Sequence, residues 1–191
     1  QAIMSKKYEQ KIEDVNVNQT RIVFIKILNK MGAKIKIKNL KRKYGEIQAD
    51  IIVKSQPFLK KINCPPSLNS NLIDEFLIIF LAAAKANGVS KFSNLGELNK
   101  KESPRLKLGS DILNKMGVKT VTSNNSIKIF GNPNLKINKK IVIKNFLKDH
   151  RVFMTSVIAA LSFGGEWSIA NPESIKTSFP NFLKIINELK K

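Results

Sequence analysis

The chain has 191 residues, 42% hydrophobic and 25% charged, the composition of a globular domain and not of a disordered or fibrous protein. A single cysteine, Cys64, excludes an internal disulfide and suits a reducing cytoplasm, and with one histidine, His150, it leaves too few ligands for a structural zinc site. The formal net charge of +20 is carried by lysines spread along the whole chain, with "KRK" (Lys41–Lys43) the longest unbroken basic run, arginine scarce and Lys, Ile and Asn abundant together. It reads first as the composition of an AT-rich coding sequence, with a nucleic-acid partner and a small, highly anionic substrate as equal alternatives.

The opening "QAIMSKKYEQ" is polar and lacks an initiator Met, as expected of a fragment or a processed chain. The first periodic segment is "NQTRIVFIKILNKMG". Ile22, Phe24, Ile25, Ile27, Leu28 and Met31 fall at helical spacing, and Gly32 supplies a left-handed stop. "AKIKIKN" then alternates strictly, so a half-buried strand is predicted, and "ADIIVKS" is a second. From Asp74, "DEFLIIFLAAAKANGVSKFSNLGE" reads as an apolar helix with small residues in its second half, then Gly88, a strand and Asn94. Its apolar run "FLIIFLAAA" is far too short to span a bilayer.

The next segment, "SPRLKLGSDILNKMGVKTVTSNNSIKIFG", repeats the first: a helix, a glycine stop at Gly117, and two strands around a turn at Asn124–Asn125. The six residues "ILNKMG" are identical in the two copies, at Ile27–Gly32 and Ile112–Gly117. From Asp149, "DHRVFMTSVIAALSFGGEWSIANPE" repeats the Asp74 segment, with Gly165 and Asn171 at the spacing of Gly88 and Asn94. "SFPNFLKIINELKK" closes the chain as a third copy of the first helix, with "IINELK" in place of "ILNKMG". No Gly-, Ser- or Pro-rich linker divides the chain, so residues 1–191 read as one domain. The repeating unit is helix, strand, helix, strand, strand, with a leading strand before each. That is an α/β fold, with the Ala-rich helices packed inside and the sheets outside them.

Charged residues that break the apolar pattern gather before the helices: Asp74 and Glu75; Lys101, Glu102 and Arg105; Asp149, His150 and Arg151. Helix starts carry unpaired N–H groups and a partial positive charge, so several facing one way would trap phosphate or carboxylate. Taken singly, Asp74 and Asp149 also read as plain helix caps and Lys101–Glu102 as a solvated pair. Recurrence at equivalent points of successive repeats favours the functional reading.

These motifs resemble those of the 5-enolpyruvylshikimate-3-phosphate synthase family. "LNKKESPRL" is similar to its KESDR motif, and "LIDEFLIIFLAAAKANG" to its IDE helix. "DHRVFMT" is similar to its DHR-AM motif, "TSFPNF" to its closing TSFP-F, and "VNQTRIVFIKILNKMGAKI" to its TR-G-L-MGA segment. The resemblance runs in family order from about Val15 to the end. It implies the C-terminal domain of a two-domain enolpyruvyl transferase, three repeats around buried parallel helices, with the N-terminal domain absent from this chain. It also implies transfer of the enolpyruvyl group of phosphoenolpyruvate to the 5-hydroxyl of shikimate 3-phosphate, with release of phosphate. That is a step of chorismate and aromatic amino acid biosynthesis in the cytoplasm, run without metal or cofactor by an enzyme that is monomeric when complete.

Carried over by motif, Asp74 is the carboxylate at the shikimate hydroxyls and the candidate base. Lys101 contacts phosphoenolpyruvate and its bridging oxygen, and Glu102 is the proton carrier for C3. Arg105 and Arg151 clamp phosphoenolpyruvate, and His150 lies beside them. The residue types suit the chemistry, since phosphate and carboxylate favour the bidentate guanidinium and a hydroxyl nucleophile needs a carboxylate in reach. Four departures stand out. Pro104 replaces the KESDR aspartate, Leu77 a proline, Val23 a glycine, and Phe153 a small alanine. Proline is tolerated in a first helical turn, whereas Phe153 is expected to crowd a helix contact. Three other readings stay open: an inert copy acting as a binding or structural module, a transferase of the UDP-N-acetylglucosamine type, and a basic nucleic-acid-binding protein.

Overall fold

The computed structural model describes residue 3 and residues 9–188. The rest of the opening segment, and Leu189 and Lys190 of the closing helix motif, lie outside the described residues. In chain order the elements are β1 (Glu9–Asn16), α1 (Val23–Lys30), β2 (Lys34–Lys43), β3 (Glu46–Lys54), β4 (Leu59–Lys60) and α2 (Asn69–Leu72). There follow α3 (Phe76–Ala84), β5 (Ala86–Phe92), α4 (Arg105–Lys115), β6 (Thr120–Thr122) and β7 (Ile127–Gly131). Then come β8 (Lys140–Ile143), α5 (His150–Phe163), β9 (Glu166–Ile169) and α6 (Phe182–Glu188). The strands form three sheets, ordered β1-β3-β2, β4-β5-β7-β6 and β8-β9. β4 runs parallel to β5 and β8 parallel to β9, each pair flanking a helix, while β5-β7 and β6-β7 are antiparallel. The repeating unit is complete once, from β4 to β7, and present in part before and after it.

The duplicated "ILNKMG" closes α1 and α4 in the same way. Gly32 and Gly117 adopt φ of 93° and 88°, which a Cβ disfavours. In the first copy Gly32 N–H donates to Asn29 O at 2.9 Å and Ala33 N–H to Leu28 O at 3.0 Å. In the second, Gly117 N–H donates to Asn114 O at 3.0 Å and Val118 N–H to Leu113 O at 2.9 Å. This is the paired-bond helix stop that satisfies the last carbonyls. The asparagine ties the helix end to the following strand. Asn29 bonds both backbone groups of Ile35 at 3.0 Å, and Asn114 Oδ1 accepts from the Thr120 hydroxyl at 2.9 Å.

The second repeat family matches at backbone level too. Gly88 and Gly165 take φ of 100° and 83°, and Asn94 and Asn171 take 57° and 54°. α3 ends at Ala84, and Gly88 sits inside β5 opposite Gly131. The strands of the first copy are longer than their alternating cores, because β2 and β3 continue into a two-residue hairpin turn at Tyr44–Gly45. Both turn residues have positive φ (52° and 81°), the geometry that matches strand twist in short hairpins.

α3 forms the centre. All of its residues except Ile78 are buried, so the run "FLIIFLAAA" is a core helix, each large side chain contributing ~1.5–3 kcal/mol. Among the described residues no single helix is long and apolar enough to cross a membrane. Phe76, Phe80 and Phe92 form an aromatic cluster with ring centroids 5.1–6.1 Å apart. α3, α4 and α5 pack pairwise. Gly109 lets α4 approach α3, since a Cβ there would sit 2.9 Å from Leu77 Cδ2 and 3.1 Å from Phe80 Cδ2. Leu77 and Phe153 are both buried at 3% exposure, so the core accommodates them at full burial.

Candidate functional site

The starts of α3, α4 and α5 meet around one side chain. Arg105, the first residue of α4, is 1% exposed. Its Nε donates to Asp149 Oδ2 at 2.9 Å, one terminal nitrogen to Asp74 Oδ1 at 3.2 Å, and the other to the Glu102 carboxylate. Each carboxylate comes from a different place: Asp74 from the turn before α3, Glu102 from the bend before α4, Asp149 from the cap of α5. Arg105 therefore ties three helix starts together, which sets α3, α4 and α5 side by side with their N-terminal ends on one side of the domain.

Asp149 has two tasks. Oδ1 accepts from Arg151 N–H at 2.9 Å and Val152 N–H at 3.4 Å, capping α5. Oδ2 accepts from Arg105 and from the Ser103 hydroxyl at 2.7 Å. Burial pushes its carboxyl up, but the hydrogen bonds from Arg105 and Ser103 outweigh that and hold it below the usual 3.8. Asp74 caps nothing: the residue before α3 is Glu75, with no side-chain cap bond. Asp74 is instead clamped between guanidiniums, with Oδ2 3.3 Å from Arg151 and its carbonyl oxygen accepting from Arg151 at 3.0 Å. Glu75 behind it is half-buried, and burial raises its carboxyl above 4.5, with Arg151 opposing the rise and Asp74 adding to it.

Four of the six residues singled out from the sequence, Asp74, Glu102, Arg105 and Arg151, thus form one ion-paired network. Lys101 and His150 adjoin it in the chain, exposed and half-buried respectively. Among the described residues neither makes a side-chain hydrogen bond or ion pair. Sequence reasoning placed Asp149 either as a helix cap or in an anion-binding cluster and missed it as an anchor for Arg105, and it missed the buried Ser103. The signal was present in "ESPR" and "DHR" as two polar clusters breaking apolar runs, but only the fold joins them. Pro104 precedes α4 at φ −71° and does not prevent burial of Arg105. Cys64 is buried away from this network, its thiol pushed up to about 11 by burial.

The network is electrostatically lopsided. Three carboxylates face two guanidiniums, and every Arg105 nitrogen is engaged. An anion that binds Arg105 must therefore displace one of its carboxylates. Asp149 is wholly buried at its side chain, Asp74 is 26% exposed and Glu102 is 57% exposed. Glu102 is the exchangeable partner, since its release exposes the outer edge of the guanidinium without stranding a buried charge. No group of three or more acidic, histidine or cysteine side chains suited to a metal ion occurs among the described residues.

Residues 1–186 match the family described as EPSP synthase (3-phosphoshikimate 1-carboxyvinyltransferase). The 3-phosphoshikimate 1-carboxyvinyltransferase of Ruthia magnifica subsp. Calyptogena magnifica is 37% identical over 188 residues, 98% of this chain and 42% of that protein. The structure of EPSP synthase from Acinetobacter baumannii superposes with a TM-score of 0.87 at 30% identity, over 98% of this chain and 43% of that one. The enolpyruvyl transferase NikO from Streptomyces tendae shares the fold, with a TM-score of 0.71 at 12% identity over 95% of this chain and 38% of that one. The chain spans about 42% of the length of the relatives it matches.

Proposed function

The chain belongs to the EPSP synthase family, and from that membership we propose that it is the C-terminal-type domain of a 3-phosphoshikimate 1-carboxyvinyltransferase. Its substrates are phosphoenolpyruvate and shikimate 3-phosphate, held against a second domain that supplies the remaining length of its relatives. The observation that carries the reading is Arg105, buried at the junction of three helix starts and paired outward with the exposed Glu102.

The steps use the roles that the family resemblance carries over to these residues. Phosphoenolpyruvate brings a carboxylate and a phosphate, and either is a better partner for a guanidinium fork than a solvated Glu102. As the substrate takes the outer edge of Arg105, Glu102 is released within reach of the bound molecule. The 5-hydroxyl oxygen of shikimate 3-phosphate then bonds to C2 of phosphoenolpyruvate while its proton passes to Asp74. A proton drawn from solvent passes through the released Glu102 to C3, turning the methylene into a methyl group. In the second half the C2–O bond to phosphate breaks, Lys101 stabilises the charge on the departing oxygen, and a methyl proton returns to the protein as the double bond re-forms. Arg151, its other edge open at 31% side-chain exposure, serves as the second clamp, with His150 beside it.

The test is phosphoenolpyruvate binding to the enzyme complemented with a family N-terminal domain, comparing the wild type with Arg105→Ala. Binding is expected to vanish in the variant. Unchanged binding would show that Pro104 has displaced Arg105 from the substrate and would remove the reading. Phosphoenolpyruvate binding with no turnover in the wild type would favour a binding module over an enzyme.

A further inference from the structure

Outside the arginine network, a cavity of about 430 Å³ opens between α4 and the loop joining β8 to α5. Its floor is apolar: Ile112 and Ile143 are buried, and Phe146 and Val152 are fully buried. Its rim is basic. Lys107, Lys115 and Lys144 stand around it with a single carboxylate, Asp111. Lys115 is held by the Val142 carbonyl at 2.8 Å, whereas Lys107, Lys144 and Asp111 have no ion-pair partner among the described residues. None of the network residues Asp74, Glu102, Arg105, Asp149 or Arg151 lines the cavity.

The far wall is held in an uncommon backbone. Asn145, Leu147 and Lys148 have φ of 60°, 54° and 55°, and three such residues within four are maintained only where the surroundings require it. This shape turns Phe146 inward to the floor and leaves Leu147 at the surface at 70% exposure. The volume suits a small molecule and is too small for a folded segment. An apolar floor beneath three lysines and one carboxylate selects for a ligand with one apolar end and one anionic end.

We propose that this groove is a binding site for a small apolar or aromatic carboxylate, separate from the enolpyruvyl-transfer site. The ring or alkyl body lies against Pro104, Leu108 and Leu147, above the buried Ile112, Ile143 and Phe146, and the carboxylate reaches Lys107 and Lys144 at the rim. The test is an amide NMR titration of the full chain with sodium 3-phenylpropionate, repeated with the neutral alcohol of the same skeleton. Saturable shifts are expected at Leu108, Asp111, Ile143 and Asn145, with the alcohol binding at least about tenfold more weakly. Lys107→Glu combined with Lys144→Glu changes only exposed side chains, so the fold is retained. It should weaken the carboxylate by about tenfold or more. Shifts centred on Arg105 and Arg151, equal affinity for the alcohol, no effect of the double substitution, or no saturable shift at all would each overturn the proposal.

Discussion

Asp149→Ala is the most informative single substitution. It removes two interactions of different size. Loss of the cap bonds to Arg151 N–H and Val152 N–H costs about 1 kcal/mol. Loss of the 2.9 Å contact to Arg105, a guanidinium only 1% exposed, leaves a buried charge short of its innermost partner, and breaking such a pair costs roughly 3–5 kcal/mol. Asp74 and Glu102 still hold the other two nitrogens, so the lower end of that range applies, and the total comes to about 4 kcal/mol. With a urea m-value of ~2 kcal/mol/M the denaturation midpoint falls by about 2 M. Asp149→Asn separates the two contributions, since asparagine caps as well as aspartate but brings no charge. Its loss should exceed the ~1 kcal/mol of a cap alone. In a double-mutant cycle with Arg105→Ala the losses should be strongly non-additive, the double variant losing less than the sum. A loss of only about 1 kcal/mol for Asp149→Ala, with additive behaviour in the cycle, would mean that Asp149 is a cap and nothing more. The three-helix junction would then not rest on Arg105.

Glu75 has a carboxyl raised above 4.5 by burial, so ionising it opposes folding. The penalty is absent below 4.5 and grows as pH rises through the shifted value. Glu75→Gln should therefore match the wild type near pH 4 and be more stable at neutral pH, read from denaturation midpoints at both. Asp149 runs the other way: its stabilisation is full above 3.8 and fades as pH falls through its lowered value, so the gap between Asp149→Asn and wild type should narrow in acid. Gly131→Ala places a Cβ 2.2 Å from Ala86 O and 2.4 Å from Ala83 O, both backbone atoms, and should cost at least ~3 kcal/mol. Gly109→Ala meets side-chain atoms of the buried Leu77 and Phe80 and no backbone atom, and gains about 1 kcal/mol of helix propensity, so it should be milder; comparable melting temperatures for the two would contradict this. Asn29→Ala strips both backbone groups of Ile35 of partners and should cost roughly 1–3 kcal/mol, more than Asn114→Ala, which takes one bond from a Thr120 hydroxyl that keeps Ser110 as a partner.

The repeats were legible because they are local. Helical spacing, the glycine stop and the strand that follows all lie within twenty or so residues, and the left-handed conformations at Gly32 and Gly117, and again at Asn94 and Asn171, are recorded directly in residue type. The site was legible only in part, because its geometry is tertiary. Asp74 and Asp149 look alike as acidic residues before apolar helices. Arg105 reaches both, but Asp74 is clamped between Arg105 and Arg151 and caps nothing, whereas Asp149 caps α5 with one oxygen and holds Arg105 with the other. Ser103 stood out only as part of the polar cluster "ESPR", since a serine before a helix reads as solvated until the fold buries it against Asp149. By type, Pro104 read as tolerated in a first helical turn and Phe153 as crowding a helix contact. The α4 start takes Pro104 at an ordinary φ and the core encloses Phe153. The cavity beside α4 had no signature at all, because it is made by the left-handed loop at Asn145–Lys148 and not by any motif.

The central claim is that Asp74, Lys101, Glu102, Arg105, His150 and Arg151 form one half of an enolpyruvyl-transfer site. The measurement that tests it most directly is phosphate release from phosphoenolpyruvate and shikimate 3-phosphate by this chain co-expressed with a family N-terminal domain. Release that requires both partners and both substrates, and that disappears with Arg105→Ala, is the predicted result. No release together with no binding of either substrate, in a complex shown to assemble, would contradict it.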